Sequence, residues 1–150
     1  SKSKHPILLV GALNTKHGYR LKKKYSHNKN IKFVGAIYNK EELDGLRKHA
    51  KLYFHGHTVG GTNPSLLEAM AAGAAIVAYK NIFNSTVLEN NGVYFSSSND
   101  IKNHILRATM KKEIIEEKRD GAISAIKLRY SWDKITTEYL MFFNEARKKK

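Results

Sequence analysis

Residues 55–73 read His-Gly-His-Thr-Val-Gly-Gly-Thr-Asn-Pro-Ser-Leu-Leu-Glu-Ala-Met-Ala-Ala-Gly. The adjacent Gly60 and Gly61 let the backbone approach a ligand closely and adopt φ > 0. A helix is expected to begin near Asn63 or Pro64. The first-turn N–H groups of such a helix have no partner within it and form an anion site. A glycine-rich loop leading into a helix start therefore predicts a cradle for phosphate or a nucleotide. The spacing is neither a dinucleotide fingerprint nor a Walker loop, since no Gly-x-Gly-x-x-Gly or Gly-Lys-Ser/Thr occurs in the stretch.

Glu68 stands about one turn into an otherwise apolar helix, near the end where the helix dipole favours a carboxylate. There it could accept both hydroxyls of a ribose. Its residue type is equally compatible with completing the helix electrostatics or pairing with a lysine.

Short apolar runs must position this loop. They lie at 7–10, 31–34, 52–54 and 74–78, with a weaker run at 93–95, and each ends at a turn-forming or polar residue. Such runs fit strands buried on both faces, as in a parallel sheet. Helical patterns fall between them. Residues 19–25 form a short basic segment; 40–49 is amphipathic through Leu43 and Leu46, with Asn39 as N-cap and acids at Glu41 and Glu42. Residues 64–72 carry Leu66, Leu67, Met70 and Ala71 and read as a buried helix. From residue 100 onward the pattern is helical, at 100–109, 111–129 and 131–146. The alternation predicts a Rossmann-like, doubly wound parallel α/β sheet closed by carboxyl-terminal helices. With no repeat and no linker, residues 1–150 read as one domain. Ligands in such sheets settle in the crevice at the carboxyl ends of the strands, where this loop falls.

Composition narrows the field. Of 150 residues 41% are hydrophobic and 27% charged, enough for a core and too apolar for wholesale disorder. Lys and Arg number 27 against 13 acids, a net charge of +14 that points to an anionic partner. The absence of cysteine excludes disulfide scaffolds, thiol catalysis and thiolate zinc sites. No apolar run approaches the roughly 20 residues of a membrane span, and no signal-peptide pattern opens the sequence. A nucleic-acid module would cluster aromatics with its cations or carry a reader motif. Neither is evident, because Tyr53, Phe54, Phe142 and Phe143 take core-like positions. A solvated lysine-rich surface or an anionic membrane is the expected counterpart, and nucleic acid is not. Ser131 is expected to cap the last helix, Trp132 to anchor it, and the cluster Leu140, Met141, Phe142 and Phe143 to dock it.

Residues 63–77, Asn-Pro-Ser-Leu-Leu-Glu-Ala-Met-Ala-Ala-Gly-Ala-Ala-Ile-Val, resemble the signature of family-4 glycosyltransferases of the GT-B fold. Residues 30–35 followed by Glu41, Glu42 and Leu43 resemble that family's preceding strand and helix. Residues 130–135, Tyr-Ser-Trp-Asp-Lys-Ile, resemble its closing segment, and 7–11 its Leu-Val-Gly strand. The order of the four segments covers nearly the whole chain. The variant Gly-His-x-Val-Gly-Gly-Thr-Asn-Pro-Ser-Leu-Leu-Glu, with Ile82, Phe83 and Asn84, resembles bacterial rhamnosyltransferase-like enzymes of capsule and O-antigen assembly.

The resemblance implies a donor domain that binds a nucleoside diphosphate sugar, with retention at the anomeric carbon, no essential metal and no further cofactor. No Asp-x-Asp pair occurs, in keeping with that. Glu68 matches the family glutamate that binds the ribose hydroxyls. The first glutamate of the family's Glu-x7-Glu pair falls at Gly60, so its role is absent or taken over; His55, His57, Thr62 and Asn63 are the expected substitutes. The backbone amides around Asn63, Ser65 and Leu66 are expected to hold the distal phosphate, with Gly60, Gly61 and Pro64 counted in the same donor-binding segment. Gly35, Ala36 and Ile37 are expected to offer backbone groups and an apolar wall to the base. Thr86 stands where the family shows another glutamate. No catalytic residue is assigned. The resemblance also implies a carboxyl-terminal half whose acceptor-binding partner domain, and the cationic Gly-Arg-x-x-x-x-Lys segment, lie before residue 1. The acceptor is then a saccharide or a lipid-linked saccharide. With no span or signal pattern the expected location is cytoplasmic, and the basic charge allows peripheral attachment to the inner face of the plasma membrane. Competing readings are a basic, non-catalytic nucleic-acid or membrane-surface module, and an epimerase or phosphorylase of the same architecture.

Overall fold

The computed structural model describes residues 5–107 and 112–148, and the chain divides into two compact units, one ending at Leu43 and one beginning at Asp44. The first unit holds β1 (Ile7–Val10), α1 (Lys16–Tyr25) and β2 (Ile31–Gly35). The two strands pair in parallel, with Ile7 opposite Ile31 and Leu9 opposite Phe33. α1 starts earlier than the expected residue 19 because Thr15 caps it, its hydroxyl accepting the Gly18 N–H at 3.0 Å. Burial on both faces, expected for these strands, is not observed: Ile7, Leu8 and Val10 are all exposed. A pair of strands flanked by one helix leaves apolar surface uncovered.

α2 (Lys40–His49) runs across the unit boundary and begins as expected, with Asn39 Oδ1 accepting the Glu42 N–H at 3.0 Å. The second unit contains β3 (Tyr53–His55), β4 (Ile76–Tyr79) and β5 (Val93–Phe95), parallel and in the order β3-β4-β5. Between and after them come α3 (Pro64–Ala71), α4 (Ile82–Leu88), α5 (Ser98–Arg107), α6 (Lys112–Arg129) and α7 (Trp132–Lys148). β4 is central, and its Ile76, Val77 and Ala78 are buried, as the sequence predicts for a strand covered on both sides. The core gathers Leu66, Ala69 and Met70 of α3, Ile76 and Ala78 of β4, Val87 and Leu88 of α4, and Ala122 of α6. This is the parallel α/β, Rossmann-like architecture anticipated from the alternation of elements.

Several local expectations change. β3 extends to His55, one residue later than the apolar run. β4 starts at Ile76, not Ala74, because Gly73 and Ala74 complete the end of α3. There the Ala74 N–H donates to Ala69 O at 3.0 Å and the Gly73 N–H to Met70 O at 3.1 Å, with Gly73 at φ +68°. That double bond is a Schellman stop. α4 has no counterpart among the expected helices, since Asn, Ser, Thr and Val are weak helix formers. Asn81 starts it by accepting the Asn84 N–H at 2.8 Å, and Val87 and Leu88 fasten it to the core.

The aromatic assignments also need correction. Phe54 is exposed because side chains alternate along β3, and Tyr53 and His55 take the opposite face. Leu140, Met141, Phe142 and Phe143 are all exposed, and Trp132, expected to anchor the last helix, is 82% exposed. Four consecutive residues turn through a full circle of helix and cannot share one docking face. Ser131 does cap α7, accepting the Lys134 N–H at 3.4 Å. The ends expected at 109 and 111, and Lys149 and Lys150 of the basic tail, lie outside the described residues.

Candidate functional site

The site grows from the carboxyl end of β3. His55 is fully buried there, and its Nε2 has no hydrogen-bond partner. Burial, with a smaller contribution from the charge of His57, pulls its pKa down to about 4, so the ring is neutral near pH 7. His57 stacks on it with ring centroids 4.6 Å apart and is itself exposed. The chain is tied at this point by α4. The side-chain amides of Asn81 and Asn84 both donate to His57 O at 3.0 Å, and Asn84 donates as well to Tyr79 O at 2.9 Å. Asn84 is buried and satisfied by these bonds. In the sequence Asn84 stands out only as part of a resemblance. Its usable signal is an Asn-x-x-Asn pair directly after a strand.

Beyond His57 the loop is open. Residues 56–62 are exposed, and a Cβ placed on Gly60 or Gly61 would meet nothing within 4 Å. Gly60 has φ +113°, a conformation that favours glycine and leaves a side chain poorly accommodated there. The expected family glutamate at this position is thus replaced by a residue whose backbone suits no glutamate.

Asn63 caps α3, as the sequence predicts, with its Oδ1 accepting both the Ser65 N–H at 3.0 Å and the Ser65 hydroxyl at 2.8 Å. The Leu66 N–H donates to Asn63 O at 3.0 Å. Pro64 occupies the first turn, where its missing N–H costs nothing. The expected phosphate donors at Ser65 and Leu66 are therefore engaged by Asn63 itself, and an incoming anion must displace the Asn63 side chain to reach the Ser65 amide. Leu66 offers only backbone, since its side chain lies in the core. Thr62 is exposed beside the cap.

Glu68 follows one turn later. Its Oε2 accepts from Arg47 Nη2 at 2.7 Å, and the Glu68 side chain remains 47% exposed. The partner is thus an arginine of α2, not the lysine that the sequence allowed for. Arg47 itself is buried, with a side chain 7% exposed, and its Nη1 donates to Asp44 Oδ1 at 2.8 Å. Burial alone would lower the guanidinium pKa. The hydrogen bonds to Asp44 and Glu68 outweigh it, and the net shift is upward, so the cation is permanent. Sequence reasoning passes over Arg47, which sits beside the Leu43 and Leu46 face that gives α2 its amphipathic reading. Thr86 is exposed on α4 and folds back on its own helix, its hydroxyl donating to Ile82 O at 2.8 Å. Gly35, Ala36 and Ile37 belong to the first unit; Gly35 ends β2 at φ +89°, Ala36 is exposed and Ile37 half-buried.

The arrangement combines an exposed glycine loop at a strand end, a capped helix start and, one turn inside, a half-exposed carboxylate paired with Arg47. It suits a ligand with an anionic portion and vicinal hydroxyls. Residues 2–127 match the family model described as Glycosyl transferases group 1. Over 121 residues the chain is 30% identical to the uncharacterized glycosyltransferase MJ1069 of Methanocaldococcus jannaschii, covering 77% of this chain and 31% of that protein. Among solved structures, Anabaena Alr3699/HepE in complex with UDP superposes with a TM-score of 0.80 at 20% identity, over 94% of this chain and 41% of that one. Its complex with UDP-glucose gives 0.76. TarM gives 0.74 at 20% identity, over 93% of this chain and 28% of its own. The chain spans about a third of the curated relative it matches.

Proposed function

Since the chain belongs to the glycosyl transferases group 1 family, we propose that it is the donor-binding, carboxyl-terminal half of a GT-B glycosyltransferase and holds a nucleoside diphosphate sugar. The observation that carries this reading is the half-exposed Glu68 carboxylate, set one turn into α3 directly behind the open loop 56–62. A ribose can share its hydroxyl protons with that carboxylate while the diphosphate lies toward the glycines and the start of α3. HepE, similar in fold, was solved with UDP and with UDP-glucose, and UDP heads the candidates here for that reason.

The reaction is glycosyl transfer. The bond from the anomeric carbon to the distal phosphate oxygen breaks, and the nucleoside diphosphate leaves with the electron pair. An acceptor hydroxyl forms the new glycosidic bond, and its proton passes to the departing diphosphate. In this reading His57, Thr62 and Asn63 make the sugar and phosphate contacts, and the buried His55 supports His57 from behind. Transfer proceeds with retention and without an essential metal. A deoxyhexose such as rhamnose suits a site with Gly60 in place of a glutamate, and a polysaccharide or lipid-linked saccharide is the acceptor, supplied through a second domain.

A cytoplasmic site at an anionic membrane fits a lipid-linked acceptor. α1 carries Lys16, Arg20, Lys22, Lys23 and Lys24, all exposed and with no acid in its first turn. Lysines near such a surface contribute about 1 kcal/mol each. No helix among the described residues is long and apolar enough to cross a membrane. Sedimentation with phosphatidylglycerol vesicles, lost at high salt and in a Lys22/Lys23/Lys24→Glu variant, supports this attachment; preference for DNA over vesicles refutes it.

Calorimetry with UDP, dTDP, GDP and ADP, on the protein and on Glu68→Ala, tests the donor reading. Binding of one nucleotide that Glu68→Ala weakens by about tenfold, the loss of one charged hydrogen bond, supports it. Failure of all four to bind overturns it.

A further inference from the structure

The ion pair behind Glu68 does more than join two helices. Arg47 is buried and its desolvation is offset incompletely, because its Nε is left without a partner. For stability alone, an apolar residue of similar volume would serve as well or better. The guanidinium is a planar fork whose two outer nitrogens point in fixed directions. Nη1 is secured to Asp44 three residues earlier on α2, and this fixes the direction of Nη2 toward Glu68 Oε2. One cation thus lies between two carboxylates, and the group of three carries a net charge of −1. That charge is presented at Glu68, the half-exposed member.

We propose that Arg47 is a positioning residue for ribose recognition: held by Asp44, it sets the rotation of the Glu68 carboxylate so that Oε1 and a remaining lone pair of Oε2 meet the vicinal hydroxyls of the nucleotide. The proposal rests on the donor reading of Glu68. The same residual negative charge disfavours phosphate at Glu68 and so gives the nucleotide one polarity, with ribose at Glu68 and diphosphate toward the loop. Without Arg47 the carboxylate rotates freely and hydroxyl recognition weakens, whereas contacts to base and phosphate are untouched.

The experiment compares UDP with 2′,3′-dideoxyuridine diphosphate, which keeps base and phosphates and lacks both hydroxyls. Dissociation constants are measured for the protein and for Glu68→Ala, Arg47→Leu and Arg47→Lys, with thermal melts of each. The protein should prefer UDP by about tenfold or more, as expected for charged hydrogen bonds to the hydroxyls. Glu68→Ala should abolish that preference. Arg47→Leu should reduce it to within about threefold of unity while affinity for the dideoxy compound stays unchanged, and Arg47→Lys should restore part of it. If Arg47→Leu does not fold, Arg47→Lys decides: a smaller preference with unchanged dideoxy affinity supports the proposal, and a full preference overturns it. Equal losses for both ligands in the Arg47 variants mean a purely structural role and also overturn it. A preference that survives Glu68→Ala refutes the ribose role of Glu68 and the proposal with it. If GDP or ADP binds in place of UDP, the comparison is made with that nucleotide and its dideoxy counterpart. Failure of UDP, dTDP, GDP and ADP alike to bind refutes the donor reading. A preference lost in Glu68→Ala and intact in both Arg47 variants refutes only the role of Arg47.

Discussion

His55 and His57 lie ring on ring, with centroids 4.6 Å apart, the first buried at the end of β3 and the second exposed on the loop. The buried ring, with its pKa lowered to about 4, binds its proton far less readily in the folded chain than an unfolded histidine near 6.5. Above pH 6.5 both states are neutral and stability is complete. As pH falls from 6.5 toward 4 the unfolded state takes up the proton first. Stability then falls by about 1.4 kcal/mol for each pH unit crossed, on the order of 3 kcal/mol in all. Melting at pH 7.5, 6 and 5 should show this decline. His55→Gln should flatten it, and a slope unchanged in that variant would assign the decline to other groups.

Asn84 ties loop to sheet with two donated bonds. Asn84→Ala should cost about 2 kcal/mol, near 1 for each lost bond, by urea denaturation. Asn84→Asp, of the same shape, cannot donate to the two carbonyls and should be no better. Hydrogen exchange should show faster amide exchange at 56–62 in both variants.

Gly60 and Gly61 are neighbours with different demands. Gly60 holds φ +113°, so Gly60→Ala should cost about 1–2 kcal/mol of backbone strain, relieved in part by reshaping the loop. Both positions are open to a Cβ, and Gly61→Ala should change stability by no more than about 0.5 kcal/mol. UDP calorimetry should show the first variant weakened well beyond the second; equal affinities would remove the loop from the proposed donor site.

The two ends of α3 can be tested together. Asn63→Ala removes the cap and should cost about 1 kcal/mol. Gly73→Ala forces a side chain into φ +68° with Ile123 Cδ1 3.1 Å from the new Cβ, and should cost about 1–2 kcal/mol. The positions share no partner and lie a whole helix apart, so the double variant should show the sum by urea denaturation. A double variant no worse than Gly73→Ala alone would mean that the cap contributes nothing.

Much of this is legible in the sequence where the causes are local. Asn63 before Pro64, and Gly73 after an apolar run, give both ends of α3 within eleven residues. Asn39 likewise announces α2. The partner of Glu68 is not legible, because Arg47 lies 21 residues away and only packing brings it there. α4 is hidden by residues that favour helices weakly, and it forms because Val87 and Leu88 reach the core. Trp132 and Phe143 look like core residues by type, yet burial depends on a facing neighbour, which no local pattern reports. The engagement of the Ser65 amide by Asn63 is hidden for the opposite reason: the same residue that predicts a helix start also fills it.

The stops at Asn63 and Gly73 have an evolutionary corollary. Adding one residue between them would swing Glu68 by about 100° and shift it about 1.5 Å along the axis, away from Arg47. Residues 58–62, solvent-facing, past the anchor at His57 and with room beyond both central glycines, carry no such constraint on length. Descendants of this sequence can therefore vary the loop freely, while insertions and deletions inside the helix are closed to them.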